Sequence, residues 1–80
     1  MKLKILAFGI ARDIIGGSSI DLQAKEGLDV QGFRRDLNSK YPKFNDLSSL
    51  MIAVNSEYAE DAQLLAENDE IALIPPVSGG

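Results

Sequence analysis

The segment Ile71-Ala72-Leu73-Ile74 constrains the fold of this 80-residue chain more than any other. It has no polar residue on either face of a strand, so it cannot offer a hydrophilic face to solvent. Strands of this kind are typical of the interior of a sheet, where both faces are covered. The sequence therefore predicts a central strand close to the end of the chain.

Two alternating segments near the start predict an antiparallel pair of strands. Segment 2–9 places Leu3, Ile5 and Ala7 on one face. Its other face carries Lys2, Lys4, Leu6 and Phe8. Segment 20–25 alternates apolar and polar residues, as a half-buried strand does. The connection between them is long, and a helical turn over 11–15 is expected to end at Gly16-Gly17.

One amphipathic helix follows the strand pair. Asp29 is a good N-cap, and Leu28 and Phe33 occupy the positions of a hydrophobic staple around it. Val30, Phe33 and Leu37 then fall on one face of a helix, which Pro42 ends. Gly32 in the first turn weakens the helix, and the sequence offers no packing reason for it.

The remaining segments complete a fold of the α+β class. Segment 44–50 is expected to be a loop with buried apolar anchors, 51–55 a third strand, and 58–59 a short segment after a turn. Two hairpin strands, a crossover helix and a final central strand describe a ubiquitin-like β-grasp. We expect a mixed sheet of four to five strands on one main helix, with the first and last strands central and parallel. Residues 1–74 would form this single domain and residues 75–80 an extended tail.

The composition narrows the chemistry that the chain itself performs. It has no cysteine and no histidine, which excludes disulfides and cysteine nucleophiles and removes the commonest general base. Its carboxylates show no spacing typical of a paired acid–base site, so we do not expect an enzyme with its own catalytic residues. No apolar run approaches the roughly 20 residues that span a bilayer, and a cytoplasmic protein is expected.

Charge is divided unevenly along the chain. The net charge is −4, and all eight Lys and Arg residues lie within 2–43. Six of the twelve acidic residues fall within 57–70. Such a surface repels nucleic-acid phosphates and attracts a basic protein partner, so we expect neither nucleic acid nor a membrane among its partners. A loop kept soluble by its carboxylates explains the acidic stretch equally well.

The last six residues predict a stiff tail with a reactive end. The sequence there is Pro75-Pro76-Val77-Ser78-Gly79-Gly80. Proline fixes φ and holds the backbone extended, and six extended residues reach roughly 20 Å at about 3.3 to 3.6 Å each. Two glycines carry no side chains, so a carboxylate on Gly80 can enter a slot too narrow for other residues.

The same ending carries a family resemblance. Residues 69–80, DEIALIPPVSGG, resemble the DEVA…PPVxGG ending of the small subunit of molybdopterin synthase, the MoaD family of the MoaD/ThiS ubiquitin-like superfamily. The resemblance extends to Ala53-Val54-Asn55, to Phe8 followed by Ala11-Arg12-Asp13, and to Gly16. It covers essentially the whole chain, although Ile74 stands where the family commonly has an aromatic residue.

The resemblance implies a sulfur carrier that binds no cofactor of its own. A MoeB-like, E1-like adenylyltransferase would use ATP to adenylate Gly80, and a sulfur donor protein would supply the sulfur of a C-terminal thiocarboxylate, a 1-thioglycine. The tail would then enter a MoaE-like large subunit, within a heterotetramer of two large and two small subunits. That complex converts precursor Z, cyclic pyranopterin monophosphate, to molybdopterin in molybdenum cofactor biosynthesis.

The resemblance also implies a partner-binding surface at Phe8, Tyr58, Ile74 and Arg12. Strand parity independently puts Phe8 and Ile74 together on the outer face of the sheet, away from the helix. Three other functions stay open at this point. A thiamine-type sulfur carrier shares the diglycine but lacks the Pro75-Pro76 stalk, a ubiquitin-like modifier would join Gly80 to lysines, and a scaffold domain would not need the tail.

Overall fold

The computed structural model describes residues 1–47 and 49–76. The last four residues of the predicted tail, Val77, Ser78, Gly79 and Gly80, lie outside this part of the chain. The elements, in chain order, are β1 (Lys2–Ala7), α1 (Ile10–Ile15), β2 (Ser19–Gln23), α2 (Val30–Lys40), a 3-10 helix (Pro42–Asp46), β3 (Met51–Val54), β4 (Glu57–Tyr58) and β5 (Glu70–Ile74).

The five strands form one mixed sheet in the order β2-β1-β5-β3-β4. β1 and β5 are parallel and adjacent, with Ile5 opposite Ile71, and the other neighbouring pairs are antiparallel. The predicted α+β fold with central, parallel first and last strands is therefore confirmed. β5 lies third of five, where a strand without a polar face belongs.

The core lies between the inner face of the sheet and α2. Leu3 and Ile5 of β1, Ile71 and Leu73 of β5, and Phe33 of α2 are completely buried. Asp29 caps α2 as predicted, because its Oδ1 accepts a hydrogen bond of 2.8 Å from the Gly32 N–H. The predicted core faces of the strands and of the helix are thus confirmed.

Several element bounds differ from the sequence prediction. β1 ends at Ala7 rather than at residue 9, because the backbone turns at Gly9 with φ 53°. The predicted loop over 44–50 begins inside the 3-10 helix, which buries Phe44. Within the described residues, neither α-helix is long and apolar enough to cross a membrane.

Candidate functional site

The outer face of the sheet carries a groove of about 300 Å³. We call it the outer-face groove, and its lining residues are Leu6, Phe8, Ala53, Ser56, Tyr58, Glu70, Ala72 and Ile74. Three of the four residues that the resemblance singles out as partner contacts therefore lie along one surface. Phe8 is 46% exposed and Tyr58 68%, while Ile74 is half-buried.

The strand register explains why this surface is concave. Leu6 lies opposite Ala72, Ala72 opposite Ala53, and Ala53 opposite Tyr58. Residues opposite one another on paired strands share a face of the sheet. Two small alanines in the middle of this row, with Leu6 and Tyr58 at its ends, form a floor between two walls.

The same face changes from charged to apolar along the strands. At one end Lys4 lies opposite Glu70, and Lys2 pairs with Asp21 at 4.0 Å. At the other end Met51, which is exposed, lies opposite Ile74. Since β5 continues into Pro75 at this second end, the tail leaves the sheet beside its exposed apolar side chains, an arrangement typical of a binding surface.

Arg12 does not belong to the groove. It is exposed on α1, and its backbone N–H donates to the Gly9 carbonyl at 3.1 Å. The structure thus brings together Phe8, Tyr58 and Ile74 and leaves Arg12 on the neighbouring helix. Met51, Leu6 and the two alanines of the floor were not predicted as site residues, although the alternation of the strands contained the signal for them.

A strained hairpin holds Tyr58 in place. Asn55 and Ser56, which join β3 to β4, have positive φ angles of 51° and 75°. The Asn55 side chain donates to Asp69 Oδ1 at 2.9 Å and accepts from the Glu70 N–H at 3.0 Å. These two hydrogen bonds tie the hairpin to the start of β5, so the wall that Tyr58 forms is fixed relative to the strand that carries the tail.

Replacing Ser56 with glycine is expected to stabilise the fold by about 0.5 to 1 kcal/mol. The reason is that glycine adopts positive φ without the steric cost that a Cβ brings, and Asn-Gly is the favoured hairpin pair. Urea denaturation measures the difference in free energy of unfolding. Ser56→Ala, which keeps the Cβ, should give no such gain, and a Ser56→Gly protein less stable than the parent would contradict the strain argument.

Neither a carboxylate cluster of the kind that holds a metal ion nor an unpaired buried polar side chain is found in the described residues. Over residues 1–47 and 49–76, no three Asp or Glu side chains come together as metal ligands would. The same part of the chain leaves no buried side-chain nitrogen or oxygen without a hydrogen-bond partner.

Comparison with known sequences places residues 5–80 in one family, described as the ThiS family. A relative from Dictyostelium discoideum, named molybdopterin synthase sulfur carrier subunit, is 40% identical over 84 residues. The alignment covers 99% of this chain and 96% of that relative. The sequence likeness thus extends over the whole domain and the tail.

Solved structures of known proteins also resemble this one. A molybdopterin converting factor subunit 1 from Pyrococcus furiosus superposes with a TM-score of 0.88 at 23% identity, covering 96% of this chain and 99% of that one, which confirms the fold. Subunit 1 of the molybdopterin-converting factor from Helicobacter pylori, solved in complex with subunit 2, is 27% identical, with a TM-score of 0.69 and complete coverage of both chains.

Proposed function

This chain belongs to the MoaD/ThiS family, and we propose that it is the sulfur carrier subunit of a molybdopterin synthase. The observation that carries the proposal is the placement of the tail. Pro75 and Pro76 follow β5 directly, at the apolar end of the outer-face groove. A partner that docks on the groove therefore lies where the tail departs.

The two prolines support a boundary between the folded domain and the tail at residue 75. Neither has a backbone N–H, so neither can donate to the strands that flank β5. Pairing between β3 and β5 extends to Ile74, which lies opposite Met51. We therefore propose residues 75–80 as the functional tail and residues 1–74 as the domain that presents it.

The proposed reaction begins at the carboxylate of Gly80. A free α-carboxylate, with a reference pKa near 3.5, is anionic at neutral pH and resists nucleophiles. One of its oxygens would attack the α-phosphorus of ATP in a MoeB-like adenylyltransferase, giving an acyl-adenylate and pyrophosphate. A persulfide on a donor protein would then attack the carbonyl and AMP would leave with the oxygen, which gives an acyl disulfide. A second thiol would cleave the S–S bond of this intermediate, so the products are the thiocarboxylate and a disulfide.

Transfer of the sulfur would complete the cycle. In the large, MoaE-like subunit the thiocarboxylate sulfur would attack a carbon of precursor Z, and an oxygen substituent of that carbon would leave as the C–S bond forms. Water would then cleave the acyl–sulfur bond, which leaves the sulfur on the pterin and regenerates the carboxylate on Gly80. Two such transfers, from two loaded carriers, give the two sulfurs of the dithiolene. No side chain of this chain acts as acid or base in either half of the cycle, which agrees with a sequence that contains no histidine or cysteine. The chain supplies reach, an unobstructed carbonyl and a docking surface.

The outer-face groove is proposed to bind both partners in turn, with Phe8, Tyr58 and Ile74 as its main contacts. The complex from Helicobacter pylori supports a large subunit as one of them. Glu70 lines the groove and lies opposite Lys4, so this end of the groove carries charges of both signs. A partner surface with complementary charges would fix the register of docking and speed association.

An intact-mass measurement tests the proposal. The chain is incubated with a MoeB-like enzyme, ATP and either sulfide or a persulfide donor with a thiol reductant. The expected product differs by one sulfur in place of one oxygen at Gly80. Omitting ATP is the control. An unchanged mass with active enzyme would overturn the proposal, and isopeptide conjugates of the chain to lysines in cells would instead favour a protein modifier.

The Pro75-Pro76 pair, which a thiamine-type sulfur carrier lacks, favours a carrier for molybdopterin synthase over a carrier for thiamine synthesis. Both pathways would give the same thiocarboxylate, so the mass of the loaded chain does not distinguish them. The two pathways are distinguished by adding a MoaE-like large subunit and precursor Z to the loaded chain. Release of the sulfur into a dithiolene product would support the proposal, and loaded chain that stays unreacted with that subunit would count against it.

A further inference from the structure

A tight turn directly after β1 lies beside the root of the tail. Gly9 has φ 53° and ψ −132°, and the Ala11 N–H donates to the Phe8 carbonyl at 3.0 Å. These are the backbone angles and the hydrogen bond of a type II′ turn with Gly9 as its first central residue. That position favours glycine, because a Cβ there clashes with the backbone.

The turn separates two chain segments that would otherwise run side by side. β1 and β5 are parallel, so both reach the same edge of the sheet at their carboxyl ends. The Phe8 N–H still donates to the Leu73 carbonyl, at 3.3 Å. At Gly9 the first segment then turns into α1, while the second continues into Pro75 and the tail.

The space beside Gly9 is occupied by the tail itself. A Cβ on Gly9 would lie 3.2 Å from Cγ of Pro75, closer than ordinary van der Waals contact. Gly16 and Gly27 also have positive φ, 81° and 84°, but a Cβ on either would have no neighbour within 4 Å. Glycine is thus favoured at position 9 for two reasons. The turn requires a positive φ angle, and Pro75 occupies the space that a Cβ would need.

We propose that Gly9 is a positioning residue for the tail, because its bare backbone is the surface against which the Pro75 ring packs. The ring fixes the φ angle of Pro75, so displacing the ring changes the direction in which the chain leaves β5. Five further residues span at most about 18 Å, so the direction at the root limits the positions that the carboxylate of Gly80 can reach. The role in sulfur loading rests on the proposed function, whereas the packing of Pro75 on Gly9 does not.

The first test compares two valine substitutions in sulfur loading by the MoeB-like enzyme. Gly9→Val should reduce kcat by at least about tenfold, because a misplaced reacting group loses the benefit of orientation. KM for the carrier should stay within about threefold, since the groove contacts remain and only the tail is misdirected. Gly27→Val, the matched control, places the same side chain at positive φ away from the tail and should leave kcat unchanged. Equal kcat for the two variants would overturn the inference.

A second substitution separates the direction of the tail from general damage to the fold. Changing Pro75→Ala in the Gly9→Val protein removes the ring that the valine displaces and should recover at least about threefold of the lost kcat. If this double variant loads no better than Gly9→Val alone, crowding of Pro75 is not the cause. Circular dichroism of each variant shows whether it is folded, and Gly9→Ala replaces Gly9→Val if the latter is not.

An NMR measurement tests the contact without any sulfur chemistry. In the isolated protein, nuclear Overhauser effects are expected between the Gly9 α-protons and the Pro75 γ-protons. The Pro75 carbon shifts should change in Gly9→Val and stay constant in Gly27→Val. Absence of these effects would overturn the inference. Their presence in a chain that takes up no sulfur would support the packing of Pro75 and reject only the proposed function.

Discussion

Removing Gly80 is expected to abolish thiocarboxylate formation and to leave the fold intact. The reactive carboxylate would then sit on Gly79, one residue short of the position that the activating enzyme adenylates. The buried core of the described residues ends at Leu73, so the free energy of unfolding should change by less than about 0.5 kcal/mol. Intact mass after loading and the urea midpoint measure the two effects separately.

Placing a large side chain at Gly79 should have the same outcome for a different reason. Gly79→Leu keeps the length of the tail and its terminal carboxylate, but it adds a side chain next to the reacting carbonyl, which we expect to enter a narrow slot. Ser78→Ala is the matched control, because it removes a hydroxyl without adding bulk and should load normally. Sulfur uptake by the chain that lacks Gly80, or by Gly79→Leu at the parent rate, would contradict the assignment.

The sheet and its faces were predictable because strand periodicity depends on side chains alone. Ile71 and Leu73 are completely buried and Ile74 is half-buried, as the absence of a polar face and the parity of β5 require. Asp29 and Pro42 likewise mark the ends of α2 through chemistry that is local in sequence. These features need no knowledge of distant contacts.

The features that sequence reasoning missed depend on contacts between distant or unusual backbone segments. Gly32 weakens α2 in isolation, but a Cβ there would lie 2.7 Å from Cδ1 of Leu28, which folds over the first turn. Leu65 is buried, and its N–H donates to the Leu28 carbonyl at 2.9 Å. The contact of Gly9 with Pro75 joins residues far apart in the chain, which no periodicity shows.

The outer-face groove was predictable in part for the same reason. Parity placed Phe8 and Ile74 on one face, but concavity requires the register that sets Ala72 between Leu6 and Ala53. Register between β1 and β5 depends on how the whole sheet closes rather than on either segment alone. Arg12 came from family resemblance only, and nothing local to its sequence specified the face on which it lies.

Phe8→Asp is expected to weaken binding of the large subunit by at least about 2 kcal/mol, the scale of an interface hot spot. Burying an unpaired carboxylate in an apolar contact is costly, whereas in the free domain Phe8 is 46% exposed and the aspartate stays hydrated. Ile74→Asp should weaken binding similarly, because Ile74 also lines the outer-face groove and is the last residue of β5 before Pro75. Isothermal titration calorimetry gives the affinity, and thermal denaturation shows whether the monomer still folds.

Leu64→Asp provides the matched control for both changes. Leu64 is 68% exposed, the same fraction as Tyr58, but it lies outside the outer-face groove. The new charge should therefore leave affinity for the large subunit within about threefold of the parent, the range of a surface change away from the contact. If Leu64→Asp weakens binding as much as Phe8→Asp, added negative charge and not the groove accounts for the loss. If Phe8→Asp unfolds the isolated domain, its side chain supports the fold more than its exposure indicates, and the groove would then have to be tested through Tyr58→Asp on β4.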